Sequence, residues 1–252
     1  MKKFLLILLF LLCCSCAKQG PVTEAPDKEI AQARWDLMLT EPQMEPFRIQ
    51  FSLRFGEEGN TRRVTGILWG NSPETLRMDI MAGVGVIIAK IADSPDKFLL
   101  YSPRENTLYS HEGDEKPMLK IGMPLPFTLR MLAALLEGQY ASVFGSSYTA
   151  AEPNNDGTIV YTLNEGPQGQ LAVNPEGVPV AWKQGSKGWR MSITPEENSR
   201  LPKSLRFTNT DGKIAIVLVK ERENSESFNA EQMELPIKGK YKELPLSKYR
   251  PS

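Results

Sequence analysis

Phe47, Ile49, Phe51, Leu53 and Phe55 alternate without error against Arg48, Gln50, Ser52 and Arg54. A period of two sends the apolar set to one face and the polar set to the other, so the stretch predicts a strand with one wet face. Leu76, Met78 and Ile80 alternate with Arg77 and Asp79 in the same way, and Trp189, Met191 and Ile193 with Arg190 and Ser192. Turn-forming clusters separate such stretches: Glu58-Gly59-Asn60, Asn71-Ser72-Pro73, Asn155-Asp156-Gly157, Pro175-Glu176-Gly177 and Asp211-Gly212. Short strands broken at this spacing predict an antiparallel meander.

Two segments carry a helical period instead. After Asp27, a candidate cap, Ile30, Ala33, Trp35, Leu37 and Met38 roughly follow one stripe until Pro42 ends it. The second runs from Met123 through Tyr140, opens with Pro124 and Pro126, and is stopped by Gly138. Leu125, Leu129, Leu132 and Leu136 fall on one stripe, with Met131 and Leu135 on its neighbour. A helix apolar nearly all round predicts burial. Two arrangements fit it equally: a core helix lying on a curved sheet, or a plug in a ligand cavity that can move aside.

The first residues read as an export signal, which predicts a location outside the cytoplasm. Lys2 and Lys3 precede an unbroken apolar run, Phe4 to Leu12, which ends in Cys13, Cys14, Ser15 and Cys16. A membrane span needs about 20 apolar residues, and an export signal only about 7 to 15, so length favours the signal. Residues 1–15 read as a lipoprotein signal peptide and Cys16 as the acylated first residue of the mature chain, with cleavage before Cys14 or an ordinary secretory signal as the alternatives. Residues 16–26, with Gly20, Pro21 and Pro26, read as a solvated tether that reaches about 30 Å at roughly 3.3 Å per residue.

Composition narrows the function by exclusion. The chain has 30 basic and 30 acidic side chains, and losing Lys2 and Lys3 with the signal leaves a slightly acidic body. With no basic surplus and no cationic block longer than a pair, no nucleic-acid partner is expected. The three cysteines all lie in the signal region, so the folded body has no thiol for a disulfide, a metal site or a nucleophile. His111, in Ser110-His111-Glu112-Gly113-Asp114, reads as a solvated turn residue. The acidic groups Glu57-Glu58, Glu112 with Asp114-Glu115, and Glu196-Glu197 also fall in turn-like stretches, where charge means solvent. Gly83-Val84-Gly85 follows an apolar strand as a dinucleotide fingerprint would, but Val86-Ile87-Ile88 follows without the later glycine. No phosphate-binding loop motif is present, and no enzyme activity, cofactor or metal is expected. The stretch Met81 to Ile88 reads either as a glycine-flexed hairpin with an exposed apolar tip or as a buried hairpin corner.

Taken in order, these pieces resemble the LolB-like outer-membrane lipoprotein receptors of the LolA/LolB family. Arg77-Met78-Asp79-Ile80-Met81-Ala82-Gly83-Val84-Gly85 stands where that family has an apolar strand and a protruding Pro-Leu-Gly loop, with Val84 at the Leu position. Gly122-Met123-Pro124-Leu125-Pro126-Phe127-Thr128-Leu129 resembles its helix start, without the family's Trp in that helix. Trp189-Arg190-Met191-Ser192 and Leu201 to Ile214 resemble its late strands. The resemblance implies a mainly β fold, a strongly curved antiparallel half-open β-barrel with a helical lid or plug. It places that domain at 27–223 and a C-terminal extension at 224–252.

It further implies a monomer anchored to the periplasmic face of the outer membrane by its N-terminal lipid. Such a protein takes acylated lipoprotein cargo from a periplasmic LolA-like carrier and passes it to the bilayer. Phe47, Ile49, Phe51, Leu53, Met78, Ile80, Leu129, Leu132 and Leu136 are then candidates to line the ligand cavity, and Gly83, Val84 and Gly85 form the membrane-facing loop. Two other functions fit the same residues: a lipid- or glycolipid-binding lipoprotein of this fold, and an envelope assembly lipoprotein without transport activity.

Overall fold

The computed structural model describes residues 28–42, 45–72, 74–113, 116–186 and 188–250. Cys16, the signal and the tether lie outside the described residues, as do Asp27, Asp114 and Glu115. Within them the elements run α1 (Lys28–Leu39), β1 (Phe47–Glu57), β2 (Asn60–Ser72), β3 (Thr75–Ala82), β4 (Val86–Asp93), β5 (Phe98–Ser102), β6 (Thr107–His111), α2 (Pro117–Lys120), α3 (Leu129–Leu136), α4 (Tyr140–Phe144), β7 (Tyr148–Pro153), β8 (Ile159–Leu163), β9 (Gln170–Val173), β10 (Pro179–Lys183), β11 (Arg190–Pro195), β12 (Pro202–Thr208), β13 (Lys213–Asn224), α5 (Ala230–Met233) and β14 (Lys242–Pro245).

All the strands join one 14-stranded sheet in the order β14-β6-β5-β4-β3-β2-β1-β13-β12-β11-β10-β9-β8-β7. The pairings are antiparallel except that of β14 with β6. β7 and β14 form the two edges, so the sheet curves without closing: a half-open β-barrel. β1, the strand most legible in the sequence, lies at its middle and pairs along its whole length with β2 and β13. A bulge at Gln50/Phe51 interrupts the β13 side, and such extra residues sharpen the twist a curved sheet needs. Phe51 faces Gly66 across the β1–β2 ladder, and a Cβ at Gly66 would lie 2.2 Å from the Phe51 ring. Glycine is therefore what lets the ring lie flat on the inner face.

The concave face is filled, not hollow. The expected continuous helix from Met123 to Tyr140 is resolved into the short helices α3 and α4, preceded by an irregular stretch. Pro124 and Pro126 each push the residue before them out of the helical region, so helix cannot start until both are passed. It starts after Thr128, whose hydroxyl accepts from the Met131 amide at 3.2 Å, and it ends as Gly138 turns to φ 73°. Leu129, Leu132, Ala133, Ala134, Leu135 and Leu136 are all buried. Phe127 packs on Trp182 and Phe207 of β10 and β12, while Leu132 closes a small gap with Phe51, Leu53, Met78 and Ile80 of β1 and β3. One apolar segment thus bridges both halves of the sheet.

Arginines finish the helix ends. The Arg222 guanidinium donates to the Leu136 carbonyl at 2.6 Å and pairs with Glu196 and Glu137, while Arg200 donates to the Leu37 carbonyl at 2.8 Å at the end of α1. A cation at a helix C-terminus satisfies carbonyls that the helix itself leaves without donors. α1 is held at its other face by Trp35, which stacks among Tyr148 and Tyr161 and donates to the Ser146 carbonyl.

The C-terminal segment after β13 is built into the fold. Asn71 exchanges two 2.7 Å hydrogen bonds with the Phe228 backbone, and Asn229 and Gln232 cap α5 reciprocally. Arg77, buried on the outer face, donates to the Glu234 and Ile91 carbonyls and lies 5.0 Å over the Trp69 ring. The chain then adds β14 to the β6 edge, and Leu246 enters the core at 1 % exposure. Covering a sheet edge removes a site for unwanted strand pairing. Truncating Leu246 to Ala is expected to cost about 2–5 kcal/mol, as for other buried leucines. Urea unfolding checks this: a loss below about 0.5 kcal/mol would mean that the segment is a loosely attached tail.

Candidate functional site

The β1–β2, β3–β4, β5–β6, β10–β11 and β12–β13 turns share one end of the half-barrel, because alternate turns of an antiparallel meander do. At this mouth the filling of the concave face is incomplete. The segment from Leu119, in the last turn of α2, to Pro124 divides the remaining space into two basins that share Phe55 and Arg62. Ile121 and Met123 line one; Leu119, Gly122 and Pro124 line the other.

The first basin has a volume of about 580 Å³, within the range of small-molecule sites. Its walls are mainly apolar: Phe55, Val64, Ile80, Val86, Ile87, Ile88, Ala89, Leu100, Ile121, Met123 and Tyr249, with Arg62, Arg104, Glu105 and Arg250 among its lining residues. The Tyr249 ring stands edge-on to Tyr109 at 5.1 Å, so the C-terminal segment supplies part of one wall. The second basin, about 680 Å³, is more polar and carries Glu57, Asn60, Asn209, Asp211 and Lys213 beside Trp189.

Beyond the basin rises the β3–β4 hairpin. Gly83 at φ 57° and Gly85 at φ 92° take the left-handed conformations that make so tight a turn, with open space about both. Between them Val84 is fully exposed, at 102 % of its reference area, and Val86, Ile88 and Leu119 are also exposed at the same mouth. Scattered exposed apolar residues are ordinary, but Val84, Val86 and Ile88 follow one another along the hairpin beside the apolar basin, which Val86 and Ile88 line, and form a surface with a preference for hydrocarbon.

Of the residues that the sequence offered as cavity lining, Ile80 reaches this basin. Phe47, Ile49, Phe51, Leu53, Met78, Leu129, Leu132 and Leu136 lie in the packed core, each at 2 % exposure or less. Where Phe51, Leu53, Met78, Ile80 and Leu132 converge, the gap has no room for a water-sized sphere. The expected hollow under the strands is thus occupied by α3, and the open space lies at the strand ends. Val86, Ile88, Leu100, Ile121, Met123 and Tyr249 went unselected. For Val86 and Ile88 the available signal was the apolar residues running straight on from a hairpin glycine, where a polar turn is normal; the other four are brought to the basin by the tertiary fold.

The acidic and histidine candidates sort differently. Glu57 and Glu58 are exposed, whereas Glu196 is held by Arg222 at 3.2 Å. His111 is not the solvated turn residue expected: it ends β6, paired with Phe98 of β5, and its Nε2 is buried without a hydrogen-bond partner. It lines a polar recess of about 180 Å³ at the far end of the barrel with Asp93, Ser94, Lys97, Thr128 and Arg130. Among the described residues no cluster of three or more His, Cys, Asp or Glu side chains could hold a metal ion. None of their helices is long and apolar enough to cross a membrane.

Burial pushes the Asp93 carboxyl up to about 6, with Arg130 at 3.8 Å pulling partly back. The folded state therefore holds this proton more tightly than the unfolded chain does. The resulting stabilisation is complete below about pH 4 and is lost as the pH rises through about 6. Asp93→Asn is expected to flatten that part of the stability profile and to stabilise the protein at about pH 8 by on the order of 1–3 kcal/mol. Urea midpoints at about pH 4 and about pH 8 measure the effect. A variant weaker than the parent at the higher pH would contradict this reading of Asp93.

The described residues thus define a half-open β-barrel with a packed helical interior and an apolar basin at one mouth. Solved structures with this fold include a LolA superfamily protein from Nitrosomonas europaea, with TM-score 0.51 and 11 % identity over 78 % of this chain and 94 % of that one. An outer-membrane lipoprotein-sorting protein domain from Vibrio parahaemolyticus matches with TM-score 0.52 and 10 % identity over 81 % and 94 % of the two chains. A DUF1329 family protein from Desulfovibrio piger matches with TM-score 0.55 and 10 % identity over 81 % and 96 %. At such identities the likeness is one of fold. No protein-family model and no curated protein sequence matches the chain.

Proposed function

We propose that this protein is a lipid-anchored, LolB-like receptor that takes hydrocarbon chains into the mouth basin and hands them to a bilayer. The observation that carries the reading is the adjacency of two features: an apolar basin of about 580 Å³ and a hairpin that holds Val84 fully in solvent beside it. Burying one acyl chain of about sixteen carbons is worth on the order of 13 kcal/mol at about 0.8 kcal/mol per CH₂. No hydrogen bond that a protein site could add approaches this. Hydrocarbon transfer through water therefore requires an apolar host at each step, and transfer without nucleotide energy runs in the direction set by relative affinity.

On this reading the cargo is an acylated lipoprotein, delivered by a periplasmic LolA-like carrier. The protein acts as a monomer on the periplasmic face of the outer membrane, held by acylation of Cys16. It performs no covalent chemistry. Ile121 and Met123 of the stretch that follows α2, and Tyr249 of the C-terminal segment, form walls on which the chain lies. Val84 and Val86 meet the bilayer surface and bring the basin's mouth against the acyl region at release.

Val84→Glu is expected to leave uptake of an acylated peptide within about twofold and to slow its delivery to vesicles about tenfold or more, measured by fluorescence transfer between carrier, protein and liposomes. Unchanged delivery would remove the hairpin from the mechanism. Ala89→Phe directs a ring into the basin from its buried wall position. Overpacking of this kind costs about 1–3 kcal/mol of stability, and saturable uptake of a fluorescent acyl probe is expected to fall about tenfold. Full uptake by the folded variant would place the binding site elsewhere.

A further inference from the structure

The lining of the mouth basin is electrically lopsided. Arg62 at the start of β2, Arg104 in the β5–β6 turn and Arg250 after the final turn of helix converge on it from distant parts of the chain. Glu105 is the one acidic side chain among its lining residues, and its carboxylate accepts a 2.6 Å hydrogen bond from the Tyr109 hydroxyl. The neighbouring basin is balanced, with Glu57 and Asp211 against Arg62 and Lys213. The whole chain is balanced as well, at 30 basic and 30 acidic residues, so the cationic surplus is a local property of this one basin. Beneath the arginines the walls are hydrocarbon: Val86, Ile88, Leu100, Ile121 and Met123.

An apolar recess with a cationic border sorts an amphiphile by its two ends. The tail lies on the aliphatic wall, and the head meets guanidinium groups, whose planar donors match the oxygens of a phosphate or carboxylate in pairs. An uncharged acyl group gains nothing from these arginines, and a cationic head is repelled. Resting on the acyl-chain reading above, we propose that the basin prefers acyl chains that carry an anionic group beside the tail, on a lipid head or on the acylated cargo itself, held by Arg62, Arg104 and Arg250. The selection adds to the burial of the tail and leaves the transfer step unaltered.

The test is displacement of the uncharged dye N-phenyl-1-naphthylamine from the full-length chain. The competitors are hexadecyl phosphate, hexadecanoate, hexadecanol and hexadecyltrimethylammonium, each kept below its micelle threshold. Hexadecyl phosphate is expected to compete about tenfold or more better than hexadecanol, with the cationic surfactant weakest. Arg104→Gln/Arg250→Gln, which leaves Arg62 in place, should cut that preference at least threefold while changing hexadecanol competition far less, and Arg104→Glu/Arg250→Glu should turn it toward the cation. These four residue changes lie at exposed positions, and thermal melting of both variants verifies folding. Hexadecanoate matching the phosphate assigns the selection to negative charge in general, and a phosphate-only preference narrows it to phosphoryl heads. Equal competition by the charged and uncharged probes would overturn the proposal and leave the acyl-chain reading standing. No saturable dye uptake at all would overturn both.

Discussion

Burial of one apolar segment, Ile121 to Phe144, against the inside of a sheet that cannot close is the constraint on which the rest depends. A 14-stranded sheet with two free ends exposes its concave face unless something covers it. Here Leu129, Leu132, Leu135 and Leu136, with Phe127, Tyr140 and Phe144, do so, each at 2 % exposure or less. The same segment determines where space is left. It enters across the mouth as an irregular strip, because Pro124 and Pro126 forbid helix there, and a strip packs less completely than a helix. The basins at the mouth are the consequence of that local backbone restriction.

The location of the space shapes the function proposed for it. A hollow beneath the strands would swallow a lipid whole and would need the core to open. A basin at the strand ends takes a chain from outside, beside a hairpin whose tip already faces solvent with apolar side chains. The C-terminal segment contributes to the same end: Leu246 anchors it in the core, Tyr249 forms a wall, and Arg250 joins the other arginines of the lining. Stability and site are therefore coupled through one short stretch, whose removal would unseat both.

Much of the architecture was legible in the chain because two-residue alternation is a direct consequence of pleat geometry. β1 was readable from Phe47 to Phe55, β3 from Leu76 to Ile80, and the turns at Gly59, Gly157, Gly177 and Gly212 fell between strands. The interior helix was readable as buried, yet its length was not, since Thr128 as cap and the paired prolines outweighed an apolar pattern that ran on past them. The hairpin at Gly83 to Gly85 was readable as unusual. Alternation also explains what was missed: it tells which strand residues face inward, and an inward residue can meet either a ligand or another side chain. Phe47 through Leu53 are buried in the packed core, where Phe51 and Leu53 close on Leu132 of α3. Arg62, Arg104 and Arg250 lie far apart in sequence and come to line one basin only through the sheet order and the return of the C-terminal segment, which no local pattern encodes. His111 looked solvated beside Glu112 and Gly113, but pairing with Phe98 draws it to the strand's end.

The most direct measurement is photo-crosslinking of the full-length chain with a diazirine-bearing hexadecanoyl probe, followed by peptide mapping of the adducts. The expected result is saturable labelling concentrated on Val86, Ile88, Ile121, Met123 and Tyr249. Labelling that does not saturate, or that falls on the outer face around Trp69 and Phe228 instead, would contradict a hydrocarbon site at the mouth.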